Sequence, residues 1–173
     1  AKNPVKIIYK SFKSHGLQKF ILSPFFLKEF RNRWFVYGLI KGEGKIYNLA
    51  LDRIHEMGAA PGETYKENTV IDPDTFFDNL IGVTKEINTP AHRVRFWAAP
   101  GQVPYIETKP LHKSQFVVQR NEDGSAIFQM EVVLNYELEK DLLGFGEGVR
   151  VLSPRLLVHN MSKRLTQAAR NYQ

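Results

Sequence analysis

Few side chains among the 173 residues stand in patterns that support catalysis. His15, His55, His92, His112 and His159 are scattered, and no two share the short spacing that would put both on one face for a metal ion. The chain has no cysteine, which removes thiolate nucleophiles, disulfides and Cys-based zinc sites together. Ser23, Ser114 and Ser153 have no neighbouring base or glycine elbow. Asp72, Asp74 and Asp78 form a carboxylate cluster, but they fall at the start of an expected helix, where acids cap the end and favour its dipole. The glycines of GFGEG (144–148) follow an expected helix instead of opening one, so they fit a helix end and turn better than a phosphate loop. No enzyme activity, metal or cofactor is expected from these residues.

One stretch carries a different chemistry: RNRWFVYGL, Arg31 to Leu39. If residues 33–40 form a strand, Arg33, Phe35 and Tyr37 point one way, and Trp34, Val36 and Gly38 point the other. A guanidinium beside two rings is the composition of a base-stacking surface with a phosphate clamp. Arg53 ends a neighbouring expected strand, and Tyr9 with Lys10 ends the first. The same pattern also suits rings packed beneath a linker or a second domain, with arginines paired to nearby acids. The other face, with Trp34 and Val36, is assigned to the core.

Charge favours an anionic partner. Residues 1–55 hold eleven Lys/Arg against three Asp/Glu, residues 56–89 two against seven, and residues 90–173 eleven against eight. A local excess of +8 at the N-terminal end is a footprint for phosphate-rich ligands. Apolar content of 43% and aromatic content of 12% place the chain among folded globular proteins. No apolar run approaches the ~18 residues of a bilayer span. The opening AKNPVKIIYK lacks the apolar stretch of a secretory signal, so a cytoplasmic protein with no membrane partner is expected.

The elements that must position these residues follow from pattern. Apolar blocks at 5–12, 19–26, 33–40 and 45–54, separated by KSHG, RN and KGEG, predict short strands of a small antiparallel barrel. Pro24 requires its strand to lie at an edge or to bend there. HEMGAAPGETYKENTV (55–70) has the polar, Gly/Pro-containing texture of a linker, and Asp72 and Pro73 open an expected helix over 73–81. A boundary near 84–91 divides the chain into 1–84 and 85–173. The second part then predicts a strand at 92–98, with Val94 and Phe96 on one face and Arg93, Arg95 and Trp97 on the other. A helix near 102–108, a strand pair turning at Asn121–Ser125, a helix capped by Asn135 and a strand at GVRVLSP follow. A last helix is expected with Ser153 as cap, Pro154 at its start, and Leu157, Met161, Leu165, Ala168 and Tyr172 on its apolar side. The order βαββαβ with an added helix is that of a ferredoxin-like domain, and the fold class is α+β.

SPFFLKEFRNRWFVYGL followed by LALDRI resembles the signature region of WYL-domain proteins, the ligand-sensing portions of many bacterial transcriptional regulators. The family's Trp-Tyr-Leu tripeptide corresponds to Trp34-Phe35-Val36, with Arg33 before it, Gly38 after it, Pro24 ahead of the strand, and Leu51-Asp52-Arg53-Ile54 matching LDRI. Phe35 keeps the ring of the family's tyrosine and loses its hydroxyl. ELEKDLLGFGEGVRVLSPRLLV resembles the C-terminal extension that follows WYL domains. The resemblance implies an Sm-like, SH3-type barrel followed by a ferredoxin-like domain, a homodimer, and a nucleic-acid-type effector such as single-stranded DNA, an oligonucleotide or a nucleotide. It implies Tyr9, Arg31, Arg33, Phe35 and Arg53 as the ligand-binding residues, with Arg33 and Arg53 clamping phosphates and Phe35 and Tyr9 stacking bases. No helix-turn-helix candidate precedes Val5, so contact with duplex DNA is expected only through a domain outside this chain. The alternative is a stand-alone single-strand RNA- or DNA-binding module without a regulatory switch.

Overall fold

β-branched and aromatic residues fill the expected strands, and the described residues form nine strands: β1 (Val5–Tyr9), β2 (Gln18–Phe30), β3 (Arg33–Ile40), β4 (Ile46–Ala50), β5 (Ile54–Ala59), β6 (Ala91–Ala98), β7 (Phe116–Arg120), β8 (Ala126–Val133) and β9 (Val149–Ser153). Three helices accompany them: α1 (Val103–Thr108), α2 (Tyr136–Leu143) and α3 (Arg155–Arg170). The computed structural model describes residues 2–12 and 16–173. Residues 13–15 of the expected KSHG turn, His15 included, lie outside that description. Among the described residues the chain is thus α+β, with two antiparallel sheets and three α-helices. It divides into two compact units, Ala1–Phe76 and Phe77–Gln173.

In the first unit the sheet order is β4-β3-β2-β1-β5, with every ladder antiparallel. A single 3₁₀ turn, Leu51–Arg53, joins β4 to β5. Ile7, Tyr9, Leu22, Val36 and Leu49 make the core. β1 pairs only with Gln18–Leu22 of β2, so Pro24 lies past the end of that ladder and is paired to β3 alone; the β2–β3 ladder slips between Pro24 and Phe26, and the strand bends there. Gly38 is required opposite this bend, since a Cβ there would lie 2.5 Å from the Ser23 carbonyl oxygen.

Three expectations for this region need correction. Residues 54–59 are an edge strand paired with β1, not the start of a linker. Their side chains are mostly exposed, and the pairing is through the main chain, so no apolar alternation announces it. The expected helix at 73–81 is a run of turns. The Asp72 carboxylate takes the Asp74 N–H (3.0 Å) and the Thr75 hydroxyl (3.0 Å), offering the backbone an alternative to a continued helix. Trp34, assigned to the core, is 51% exposed. β4 begins to pair with β3 only at Phe35, so Trp34 sits on a two-stranded extension of the sheet with no third strand beside it.

In the second unit the chain order is β6-α1-β7-β8-α2-β9-α3, and the sheet order is β7-β8-β6-β9, all antiparallel. Val94, Phe96, Phe128, Met130 and Val132 turn one sheet face toward Ile106, Leu138, Leu142 and Leu157 of the helices. Phe96 and Phe128 are register partners, and their rings stack 5.4 Å apart. The Asn135 side chain accepts the Leu138 N–H (2.8 Å) and caps α2 as expected. At the β7–β8 turn the Asp123 carboxylate takes both the N–H (2.9 Å) and the hydroxyl (2.6 Å) of Ser125, and Gly124 supplies φ +84°. Ser153 closes β9 instead of capping α3; Pro154 stands at the cap position without a side-chain bond. Of the expected apolar side of α3, Leu157 and Met161 are buried, whereas Leu165 and Tyr172 are exposed, because the helix outruns the core it packs on.

Candidate functional site

The C-terminal end of β1, the start of β2, the β3–β4 connection and the 3₁₀ turn surround a cavity of about 510 Å³ in the first unit. Tyr9, Lys19, Lys41, Tyr47, Asn48 and Arg53 line it. Arg53 is held there by its backbone: its carbonyl accepts the Lys10 N–H (3.0 Å), which ties the 3₁₀ turn to the end of β1. The Arg53 guanidinium lies 4.0 Å from the centroid of the Phe12 ring, and Phe12 itself is 75% exposed. The Arg53 Nε is buried and finds no hydrogen-bond partner among the described residues. Such a group costs about 1–3 kcal/mol until an acceptor reaches it.

The remaining charges make the cavity cationic. Lys19, Lys41 and Arg53 stand against Glu43, which accepts the Tyr47 hydroxyl at 3.2 Å. Lys41 is held by both Glu63 oxygens at 2.9 and 2.7 Å, and Lys45 lies 5.2 Å from the Tyr47 ring centroid. An aromatic wall, an amide at Asn48 and a buried unpaired guanidinium N–H suit a compact anion that carries a planar group. Among the described residues, no three His, Asp or Glu side chains come together to hold a metal ion. No helix among the described residues is long and apolar enough to cross a membrane.

The five residues singled out in the sequence divide into two groups. Tyr9 and Arg53 meet in the cavity. Tyr9 is only 6% exposed, its ring tilted against Phe20 (6.1 Å) and its hydroxyl accepting the Ala50 N–H (3.3 Å), so it offers a wall and not an open face for stacking. Arg31, Arg33 and Phe35 do not line the cavity. Arg31 and Asn32, at φ 51° and 61°, form the two-residue turn of the β2–β3 hairpin, the left-handed conformation such a turn requires. The Arg31 guanidinium sits 5.1 Å from the Phe30 ring. Arg33 Nε is 3.1 Å from the Asp52 carboxylate, with both side chains about half exposed. Phe35 is half-buried, and Tyr37, expected beside it on an open face, is 2% exposed, stacked on Phe26 (4.9 Å) and edge-on to Phe76 (6.0 Å). Of the rings of RNRWFVYGL, Tyr37 is packed in the interior, Phe35 is half-buried and Trp34 is exposed. Lys19, Lys41, Tyr47 and Phe12 were not singled out, because strand ends adjacent in space are far apart in the chain.

The described residues thus form two small antiparallel-sheet units, the first holding a cationic cavity between strand ends. Residues 1–58 match the WYL domain model and residues 90–169 match the WCX domain model. The chain carries a WYL domain followed by a WCX domain and belongs with the WYL-domain proteins. No curated protein matches it. Among solved structures, one described as a CRISPR Cas-related protein is similar over 99% of this chain and 48% of its own, at 10% identity and a TM-score of 0.56, a likeness of fold. Proteasome accessory factor B/C (PafBC) of Arthrobacter aurescens aligns over 97% of this chain and 25% of its own, at 17% identity and a TM-score of 0.41. The chain therefore spans about half and about a quarter of the lengths of these two structures.

Proposed function

We propose that this chain is the ligand-sensing and dimerisation portion of a bacterial WYL-family transcriptional regulator, cytoplasmic and without enzyme activity. Its effector is nucleic-acid-derived, a nucleotide or a short single strand, held by a phosphate on Arg53 with Lys19 and Lys41 beside it. The buried, unpartnered Arg53 Nε carries this reading, since a phosphate oxygen satisfies it and no protein group among those described does. In finer architectural terms, we read the first unit as an Sm-like barrel: its strand order places β5 beside β1, and β4 and β5 are joined by one 3₁₀ turn. The second unit is read as ferredoxin-like from its βαββαβ order and its β7-β8-β6-β9 sheet.

An effector can act on a DNA-binding domain elsewhere in the protein only through unequal affinity for two states. Lys41 supplies such a difference, because a phosphate in the cavity competes with Glu63 for the same ammonium. The test is calorimetric titration of the chain with mononucleotides, dinucleotides and short oligonucleotides. Binding that falls at least tenfold in Arg53→Ala supports the assignment, in line with the roughly 1.5–3 kcal/mol of a charge-assisted hydrogen bond. Nucleotide affinity unchanged in Arg53→Ala, or no binding of any of these ligands, refutes it.

A further inference from the structure

The sheet of the second unit has a face that the helices do not cover. Arg93, Arg95 and Trp97 of β6, Gln129 of β8, Phe116 of β7 and Arg150 of β9 alternate with the buried core residues and so point to this side. Register puts them in two rows across the strands. Phe116 pairs with Gln129, and Gln129 with Arg95; one step along the same face, Ile127 pairs with Trp97, and Trp97 with Arg150. The rows are two residues apart, roughly 7 Å, a spacing that successive bases of an extended strand can match.

The chemistry of the face is one-sided. Arg93, Arg95 and Arg150 form no ion pair among the described residues, whereas Arg33, Arg120 and Arg164 each have a carboxylate partner. Arg95 is exposed, and its Nε donates to the Gln129 side-chain oxygen at 2.7 Å, a bond that leaves the other guanidinium N–H groups unused by it. Arg150 lies 5.4 Å from the Trp97 ring centroid, and Phe116 is 53% exposed. Glu131, opposite Arg93, is the acid on this face. Two guanidinium groups without an acidic neighbour in register, Arg95 and Arg150, interleaved with the exposed Phe116 ring and the half-buried Trp97 ring, call for a partner that is both polyanionic and aromatic. An acidic peptide supplies only the first property and an apolar protein surface only the second.

We infer that the open face of the β7-β8-β6-β9 sheet binds single-stranded nucleic acid, its bases stacking on Phe116 and Trp97 and its phosphates contacting Arg93, Arg95 and Arg150. This site is separate from the Arg53 cavity and does not depend on it.

The test is fluorescence anisotropy of the whole chain with labelled single strands of about 12 nucleotides, DNA and RNA, across a salt series. The variants are Arg95→Ala/Arg150→Ala, Phe116→Ala and Arg53→Ala, with sedimentation run on each. Arg95, Arg150 and Phe116 are exposed, so their replacement leaves the core intact. The double variant is expected to bind roughly tenfold more weakly, with its log-salt slope shallower by about 1.4, the value for two lost phosphate contacts on a single strand. Phe116→Ala is expected to lose roughly fivefold or more. These losses support the face whether or not Arg53→Ala also weakens binding. Oligonucleotide binding that is lost in Arg53→Ala and intact in the face variants overturns this inference while leaving the cavity assignment standing. No oligonucleotide binding at about 50 mM salt overturns it as well. So does a loss in the face variants that accompanies a change of sedimenting mass, which would assign the face to a second copy of the chain.

Discussion

Replacing Glu137 tests how the second unit is held together. Glu137 lies in the first turn of α2, and its Oε1 accepts the Val83 N–H (3.3 Å), the Thr84 N–H (3.1 Å) and the Thr84 hydroxyl (2.7 Å). It is 9% exposed, and its Oε2 is buried without a hydrogen-bond partner. Glu137→Ala deprives three donors of their acceptor, at about 1 kcal/mol each, for a loss of about 3 kcal/mol. Removing the unsatisfied Oε2 returns roughly 1 kcal/mol, which leaves a net destabilisation of about 2 kcal/mol. With a urea dependence of roughly 1.5 kcal/mol/M, the unfolding midpoint should fall by about 1.3 M. Trp97 reports on this unit if Trp34, the chain's other tryptophan, is first changed to Phe. Glu137→Gln keeps an acceptor in place and should recover at least half of the loss. A midpoint shift below about 0.3 M for the alanine variant would refute the account, as would equal shifts for Ala and Gln. In the latter case side-chain volume, not the acceptor, would be what matters.

Gly82→Ala should cost the same unit at least about 2 kcal/mol in urea unfolding, because φ is +91° and a Cβ would lie 2.5 Å from Glu137 Cγ. His112 has its pKa lowered, chiefly by burial, so the unfolded chain binds more protons below the ordinary histidine range. Stability of the second unit should therefore be full above about pH 6.5 and fall as pH drops toward the depressed folded pKa. Melting temperatures between those limits should show the slope, and His112→Gln should flatten it. Arg33→Ala should leave nucleotide affinity within about twofold of wild type and cost under about 1 kcal/mol of stability, because Arg33 forms a half-exposed pair with Asp52 outside the cavity. Calorimetry beside Arg53→Ala checks the first part and urea unfolding the second; a loss equal to that of Arg53→Ala would restore Arg33 to the site.

Much of the architecture is readable along the chain wherever a local rule and burial agree. The alternation of Arg93, Val94, Arg95, Phe96 and Trp97, the Asp123-Gly124 turn and the Asn135 cap each depend on residues within a few positions of one another, and each is found where expected. Beyond that range the structure decided. β5 is stabilised by main-chain pairing with β1 some fifty residues earlier, and such pairing leaves no mark on side-chain pattern. Trp34 follows the strand alternation, yet it is exposed because β4 stops short of it, a fact of strand length and register. The 73–81 segment contains helix-opening residues, but the Asp72 side chain and the Asn79 carbonyl, which takes the Val133 N–H, use its polar groups elsewhere. The candidate site shows the same division. Sequence identified arginines and rings as a chemistry, while tertiary structure set their surroundings: Arg33 is paired with Asp52, Arg31 stands in a hairpin turn, and Arg53 lines the cavity with its Nε buried and without a partner among the described residues. Residue type determines what a group can do locally, and only the burial and neighbours set by distant segments determine whether it stays available to a ligand.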